Sequence, residues 1–159
     1  MNVIFLDIDG VLNNHGCYRP GNIDQFGRCP DPSCIAALNY VVSETGAVIV
    51  VSSTWRISGV QKMRETLQHW GVSGFVFDVT PRLETAKGDI TLSVPRGREI
   101  QTWLDRIKDF TEVDRFVILD DDSDMEHHRE HLVQTDFEYG LTMAHARMAI
   151  AHLQEDSEG

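Results

Sequence analysis

The chain alternates short, uniformly apolar runs with longer segments in which apolar residues recur every three or four positions. The apolar runs are Asn2 to Leu6, "AVIVV" (Ala47 to Val51), "FVFDV" (Phe75 to Val79) and "RFVIL" (Arg115 to Leu119), with a shorter one at Leu132 to Gln134. Runs of this length, rich in β-branched residues, read as strands covered on both faces. Between them, Ile35, Leu38 and Val42 share a helical face that opens at Asp31 and Pro32 and stops at Gly46. Val60, Met63, Leu67 and Trp70 mark a second helix closed by Gly71, and Ile100, Trp103, Leu104 and Ile107 mark a third. Thr142 is placed to cap a fourth, whose buried side is Met143, Ala146, Ile150 and Leu153. Two stretches carry no period: Asn13 to Pro30, rich in Gly, Pro and Asn, and Thr80 to Pro95, which reads as a long loop.

Strands alternating with helices predict an α/β fold, a three-layer doubly wound parallel sheet of about five strands. Ligands of such sheets bind beyond the carboxyl ends of the strands. With 159 residues, 42% apolar and 25% charged, the chain is expected to form one domain over residues 1–154, with 155–159 as a frayed acidic tail. No apolar run approaches the roughly 20 residues of a membrane span, and the N-terminus lacks the basic and apolar order of a leader. Three cysteines cannot all pair within one chain, which fits a reducing compartment, so the expected location is cytoplasmic. Twenty-five acids against fourteen Lys and Arg give a net charge of −11, which repels polyanions at long range but equally suits a pocket that recruits a divalent cation.

The first strand ends in Asp7 and Asp9, the second in "SSTWR" (Ser52 to Arg56) and the fourth in "DDDSD" (Asp120 to Asp124). Carboxylates gathered from two strand ends repel one another unless a cation sits among them, and hard oxygen ligands select Mg²⁺.

This ordered set resembles the haloacid dehalogenase (HAD) superfamily of aspartate-nucleophile phosphohydrolases. Its first motif is Asp7, Ile8, Asp9, Gly10; its second is Ser52, with Ser53 possible if the strand boundary is off by one; its fourth is Asp120 and Asp121. "FLDIDGVLN", "VVSSTWR", "TPRL", "RGREIQTWL", "VILDDDSDM" and "LVQTD...GLT" resemble in particular the HAD domains associated with Swiss-army-knife RNA-repair proteins. The resemblance implies a Rossmann-like core with strand order 5-4-1-2-3, little or no cap, and a Mg²⁺-dependent phosphatase. It implies Asp7 as nucleophile, Asp9 as general acid and base, and Mg²⁺ held by Asp7, Asp9 through its carbonyl, Asp121 and nearby Asp120. Gly10, Ser52 and Ser53 fall where the phosphate is bound. In relatives that are dehalogenases or ion-pumping ATPases the residue two after the nucleophile is not Asp, so Asp9 favours phosphoryl chemistry. The third motif, usually Lys, is met here by Arg96, Arg98 or the more distant Lys87, of which Arg96 at the mouth of its helix is the choice.

An open, capless site suits a phosphate at the end of a large molecule, such as a polynucleotide, or a nucleotide. Trp55, Arg56, Arg82 and Arg98 offer stacking and local positive charge for such a partner, although Trp55 and Arg56 also fit plain packing and an ion pair with a neighbouring acid. Competing readings are a catalytically idle phosphate-binding module of a repair or phage assembly, and a phosphotransferase. His15, Cys17, Cys29 and Cys34 have ligand chemistry for zinc at spacings of no standard knuckle, and read as ordinary reduced cysteines. His127 and His131 read as part of a solvated helical face, and Asp122 and Asp124 as groups that orient the acidic loop without binding metal.

Overall fold

The computed structural model describes residues 1–87 and 90–154, and for 84–87 and 90–93 the backbone alone; the expected tail and the side chain of Lys87 lie outside the described residues. Five strands, β1 (Asn2–Leu6), β2 (Val48–Val51), β3 (Val76–Val79), β4 (Arg115–Asp120) and β5 (Leu132–Gln134), form one sheet in the order β3-β2-β1-β4-β5. Every pairing in it is parallel. This is the expected order, read from the opposite edge.

The uniform apolarity of the strands follows from their two covered faces. Ile4 and Leu6 of β1 pack toward α1 (Pro32–Thr45), α2 (Val60–His69) and α4 (Met143–Gln154), while Val3 and Phe5 pack toward α3 (Arg96–Ile107). Phe5 is fully buried, with Trp103 and Phe116 edge-on to it at 5.4 and 5.5 Å between centroids. Truncating such a ring to Ala costs about 3–5 kcal/mol. Helix α1 begins as expected: the Asp31 side chain accepts from Ser33 N, and Gly46 ends the helix at φ +67°, a conformation that side-chain-bearing residues rarely take.

Three expectations are corrected. Residues 80–95 are not one long loop, because Glu84–Lys87 and Ile90–Ser93 pair as an antiparallel hairpin. Met143 of α4 is 42% exposed and Ala149 takes the buried place, since the helix meets α1 and β4 through its small residues. Glu126–His131 is a 3-10 helix in which His128 is buried rather than solvated, and His131 stacks on Phe116 at 4.1 Å. Residues three apart eclipse in a 3-10 helix, so His128 and His131 share a side, not His127 and His131.

The segment after β1 carries a two-residue hairpin, Ile23–Asp24 with Gly27–Arg28, that packs on α2 through Phe26 and His69, 4.7 Å apart. With the hairpin after β3 and three short 3-10 helices, His15–Cys17, Thr54–Ser58 and Glu126–His131, it makes up the elements added after the strands among the described residues. Among these residues no helix is long and apolar enough to cross a membrane.

Candidate active site

The strand ends stand in a row fixed by backbone hydrogen bonds. Thr80 N donates to Val51 O, Ser52 N to Leu6 O, Asp7 N to Leu119 O and Thr135 N to Asp120 O, each at 2.9–3.0 Å. The ladder thus continues one residue past each strand and sets Thr80, Ser52, Asp7, Asp120 and Thr135 side by side along the carboxyl edge.

After Asp7 the chain turns sharply. Ile8 O accepts from Val11 N and Leu12 N, and the apolar side chains of Ile8, Val11 and Leu12 are buried, which anchors the turn. Gly10 sits at φ +79°, where a Cβ would collide with the Asp121 carboxylate. Only glycine supplies both the conformation and the clearance. Thr135 Oγ1 donates to Gly10 O at 2.6 Å and holds the turn against β5.

Asp7, Asp120 and Asp121 each offer an oxygen within 4.8 Å of the others. Asp7 and Asp120 are 7% and 2% exposed. Burial pushes both carboxyls above the ordinary range; Arg96 opposes the rise at Asp7, and the charge of Asp7 adds to it at Asp120. The buried Asp120 Oδ2 has no hydrogen-bond partner. Three crowded hard oxygens, one of them unanswered, are a donor set that fits Mg²⁺. Among the described residues it is the one group of three or more such side chains close enough to hold a metal, so His15 and the three cysteines are not gathered for zinc. Cys17 and Cys34 are buried and share Asn14, which also donates to Asp31 Oδ2 and Tyr139 O.

Asp9 leaves this cluster and points elsewhere. Its Oδ1 accepts from Asn13 Nδ2 at 2.9 Å and Tyr18 Oη at 3.2 Å, and its Oδ2 from Trp55 Nε1 at 3.1 Å. Asn13 Oδ1 in turn accepts from Gly10 N at 2.9 Å, so one side chain ties both ends of the Asp-Gly turn.

Of the three expected cations, Arg96 faces Asp7, with Nη1 4.0 Å from Asp7 Oδ1, buried and without a hydrogen-bond acceptor. Arg98 is half-exposed and paired with Glu126 at 2.8 Å. Arg96 is held there from two sides. Asp124 Oδ2 accepts from Arg96 N at 3.1 Å, and Gly97 lets α3 approach Met125 where a Cβ would collide with its carbonyl. Asp122 Oδ1 accepts from Ser123 N and Asp120 Oδ1 from Asp122 N, so Asp122 orders the acidic loop while Asp124 ties it to the start of α3.

Ser52 Oγ is fully buried with no hydrogen-bond partner, whereas Ser53 Oγ caps the turn after β2 by accepting from Trp55 N. Arg56 is not open to a ligand: it is 6% exposed, and its Nη2 is 2.8 and 2.7 Å from the two carboxylate oxygens of Glu99. Trp55 is not an open stacking surface either, because its ring packs edge-on to Trp70 at 5.3 Å and lies against Gly27. Arg82 is exposed on the segment after β3, near enough for its charge to act on Arg56.

The family described as the HAD domain in Swiss Army Knife RNA repair proteins matches residues 3–146. The chain belongs to that family. No curated protein and no solved structure matches it. Membership of the HAD family suggests a phosphatase-like or RNA-repair-related function; HAD proteins usually use Mg²⁺, and the acidic cluster could hold such an ion. Asn13, Tyr18, Glu99 and Thr135 were not among the expected site residues. Asn13, Glu99 and Thr135 do fall within the quoted "FLDIDGVLN", "RGREIQTWL" and "LVQTD", whereas Tyr18 carried no signal.

Proposed function

We propose that this chain hydrolyses phosphate monoesters through an aspartyl-phosphate on Asp7, acting on nucleotides or nucleic-acid ends. One observation carries the reading: the buried Asp7 carboxylate has an acceptor-free arginine nitrogen 4.0 Å from it on one side and two further carboxylates on the other. A phosphoryl group brings oxygens for the arginine, and a divalent cation balances the acids.

An Asp7 oxygen attacks phosphorus, the bond to the ester oxygen breaks, and Asp9 gives its proton to that departing oxygen. Asp9 then takes a proton from water as the water oxygen bonds to phosphorus, and the bond to Asp7 breaks to release inorganic phosphate. Arg96 and Ser52 Oγ hold the phosphoryl oxygens, while Asn13 and Trp55 keep the Asp9 carboxyl turned out of the acidic cluster. Asp7, Asp120, Asp121 and the Asp9 carbonyl would hold Mg²⁺, which would reduce the repulsion between two anions in the attack. The low cover over the strand ends supports a large substrate, and the family's RNA-repair association supports a nucleic-acid end.

The test is turnover of a panel of 3′- and 5′-phosphorylated oligonucleotides, nucleotides, sugar phosphates and phosphopeptides with Mg²⁺. Asp7→Asn is expected to lower the rate at least about a thousandfold. No turnover anywhere on the panel overturns the hydrolase reading and leaves a phosphate-binding module; a phosphorylated product with added alcohols reveals a transferase.

A further inference from the structure

A general acid touches the leaving-group oxygen, so the side chains bonded to the Asp9 carboxyl border the leaving group. Of the three, Asn13 is buried, and Trp55 is packed beneath the hairpin at Gly27 and against Trp70. Tyr18 is the open one, 45% exposed, with its hydroxyl on Asp9 Oδ1. It belongs to an exposed aromatic group: Phe137, 40% exposed, lies 5.4 Å from it at a 52° tilt, and the Arg28 guanidinium lies 4.7 Å over its ring.

The group is built rather than incidental. His15 N donates to Phe137 O at 2.8 Å, Gly140 N to Asp136 O at 2.7 Å and Leu141 N to Val11 O at 2.8 Å, so the turn bearing Phe137 is fastened to the loop bearing Tyr18. Arg28 Nη1 donates to the carbonyls of Cys17 and Arg19, which fixes the cation over the ring. Rigid rings with an arginine beside them are what a base stacks on in single-stranded nucleic-acid binding.

We propose that Tyr18, Phe137 and Arg28 form a leaving-group subsite that stacks the base of the terminal, phosphate-bearing nucleotide of a single strand. This rests on the reading of Asp7 and Asp9 as the reacting pair and names the substrate feature they serve. The Tyr18 ring stands behind the hydroxyl bonded to Asp9, with Phe137 5.4 Å from it, which leaves room for a sugar between a base on these rings and the phosphate. A phosphotyrosine would instead set its ring directly on the leaving oxygen, at the position the Tyr18 hydroxyl holds.

The test is equilibrium binding of a short 3′- or 5′-phosphorylated oligonucleotide to the full chain carrying Asp7→Asn, with Mg²⁺ present, against the same strand whose terminal nucleotide is abasic. The base-bearing strand is expected to bind about tenfold more tightly. Phe137→Ala, added to this chain, brings that ratio close to one, and Phe137→Trp restores it; the ring is exposed, and circular dichroism verifies the fold. A ratio of one in the parent, a ratio unchanged by Phe137→Ala, or tighter binding of a phosphotyrosine peptide overturns the proposal. Turnover of methyl phosphate by the wild-type chain is measured separately. Its absence counts against the hydrolase reading, while the binding ratio still decides the subsite.

Discussion

Two clusters of buried charge flank Asp7, and they are built on opposite principles. Around Glu99 the charges are matched: its carboxylate takes Arg56 at 2.7 and 2.8 Å, accepts from Leu83 N at 2.8 Å and lies 3.9 Å from Arg96 Nε. Around Asp120 they are not, because three carboxylates meet and one buried oxygen has no partner. A buried charge without an opposite partner costs several kcal/mol, so a fold retains one only where something from outside answers it. The first cluster is complete within the chain, while the second could hold a cation. Arg96 spans both, with Nε toward Glu99 and Nη1 toward Asp7.

Breaking the matched cluster has the largest expected effect on stability. Glu99→Ala strands the Arg56 guanidinium in the interior and frees Leu83 N, for a loss of about 3–5 kcal/mol. Set against the roughly 5–15 kcal/mol that holds a domain together, the variant approaches the edge of folding. Urea denaturation measures the loss, and a cost below about 1 kcal/mol would show that water or a rearranged partner answers Arg56 as well as Glu99 does.

Supplying the missing charge to the unmatched cluster acts in the other direction. At a hundredfold excess over its Kd, Mg²⁺ raises the stability of the wild-type chain by about 2.7 kcal/mol, roughly 5–10 °C in the melting temperature. Asp121→Asn removes most of that gain. In a Glu99→Gln chain, which keeps the acidic cluster, the gain survives on a lower baseline. Equal Mg²⁺ responses in wild type and Asp121→Asn would place the cation elsewhere.

The two clusters also differ in how visible they were before any coordinates. Asp7, Asp120 and Asp121 follow apolar strands directly, and the parallel sheet puts strand ends together, so period and order alone gathered them. Glu99 lies three residues into α3 and reads as an acid suited to a helix N-terminus. Its actual partners, Arg56 and Leu83, sit 43 and 16 residues away and are brought in only by tertiary packing. Trp55 was legible either as a stacking residue beside the site or as plain packing, and what decides for packing is out of reach of the sequence, because Trp70 and Gly27 close around it from other elements. Tyr18 lay in an aperiodic stretch, where no repeat says which way a side chain points. The pairing of 84–87 with 90–93 was missed because "ETAK", polar apart from one Ala, gives the alternating "ITLS" no visible partner strand.

The smallest effect asks most directly whether the acidic cluster is kept for chemistry at the expense of stability. Asp120→Asn keeps the side-chain shape, and its amide oxygen can still accept from Asp122 N, which Asp120 Oδ1 takes at 3.0 Å. The amide nitrogen replaces the partnerless Oδ2 with a permanent donor beside Asp7, whereas the Asp120 carboxyl, pushed well up by burial and by the charge of Asp7, has to take up a proton to stand there without a cation. The unfolded chain carries Asp120 charged and solvated, and folding forces it beside Asp7 in the interior; an amide has no charge to confine. The cation-free variant should therefore be more stable than wild type by about 0.5–2 kcal/mol, as expected where an active site holds destabilising groups. Thermal melts in chelator and in Mg²⁺ check both halves of the argument: the variant should melt above wild type in the first and gain less than wild type in the second. A variant less stable than wild type in chelator would mean that the cluster is already balanced within the chain, and the contrast with Glu99 would disappear.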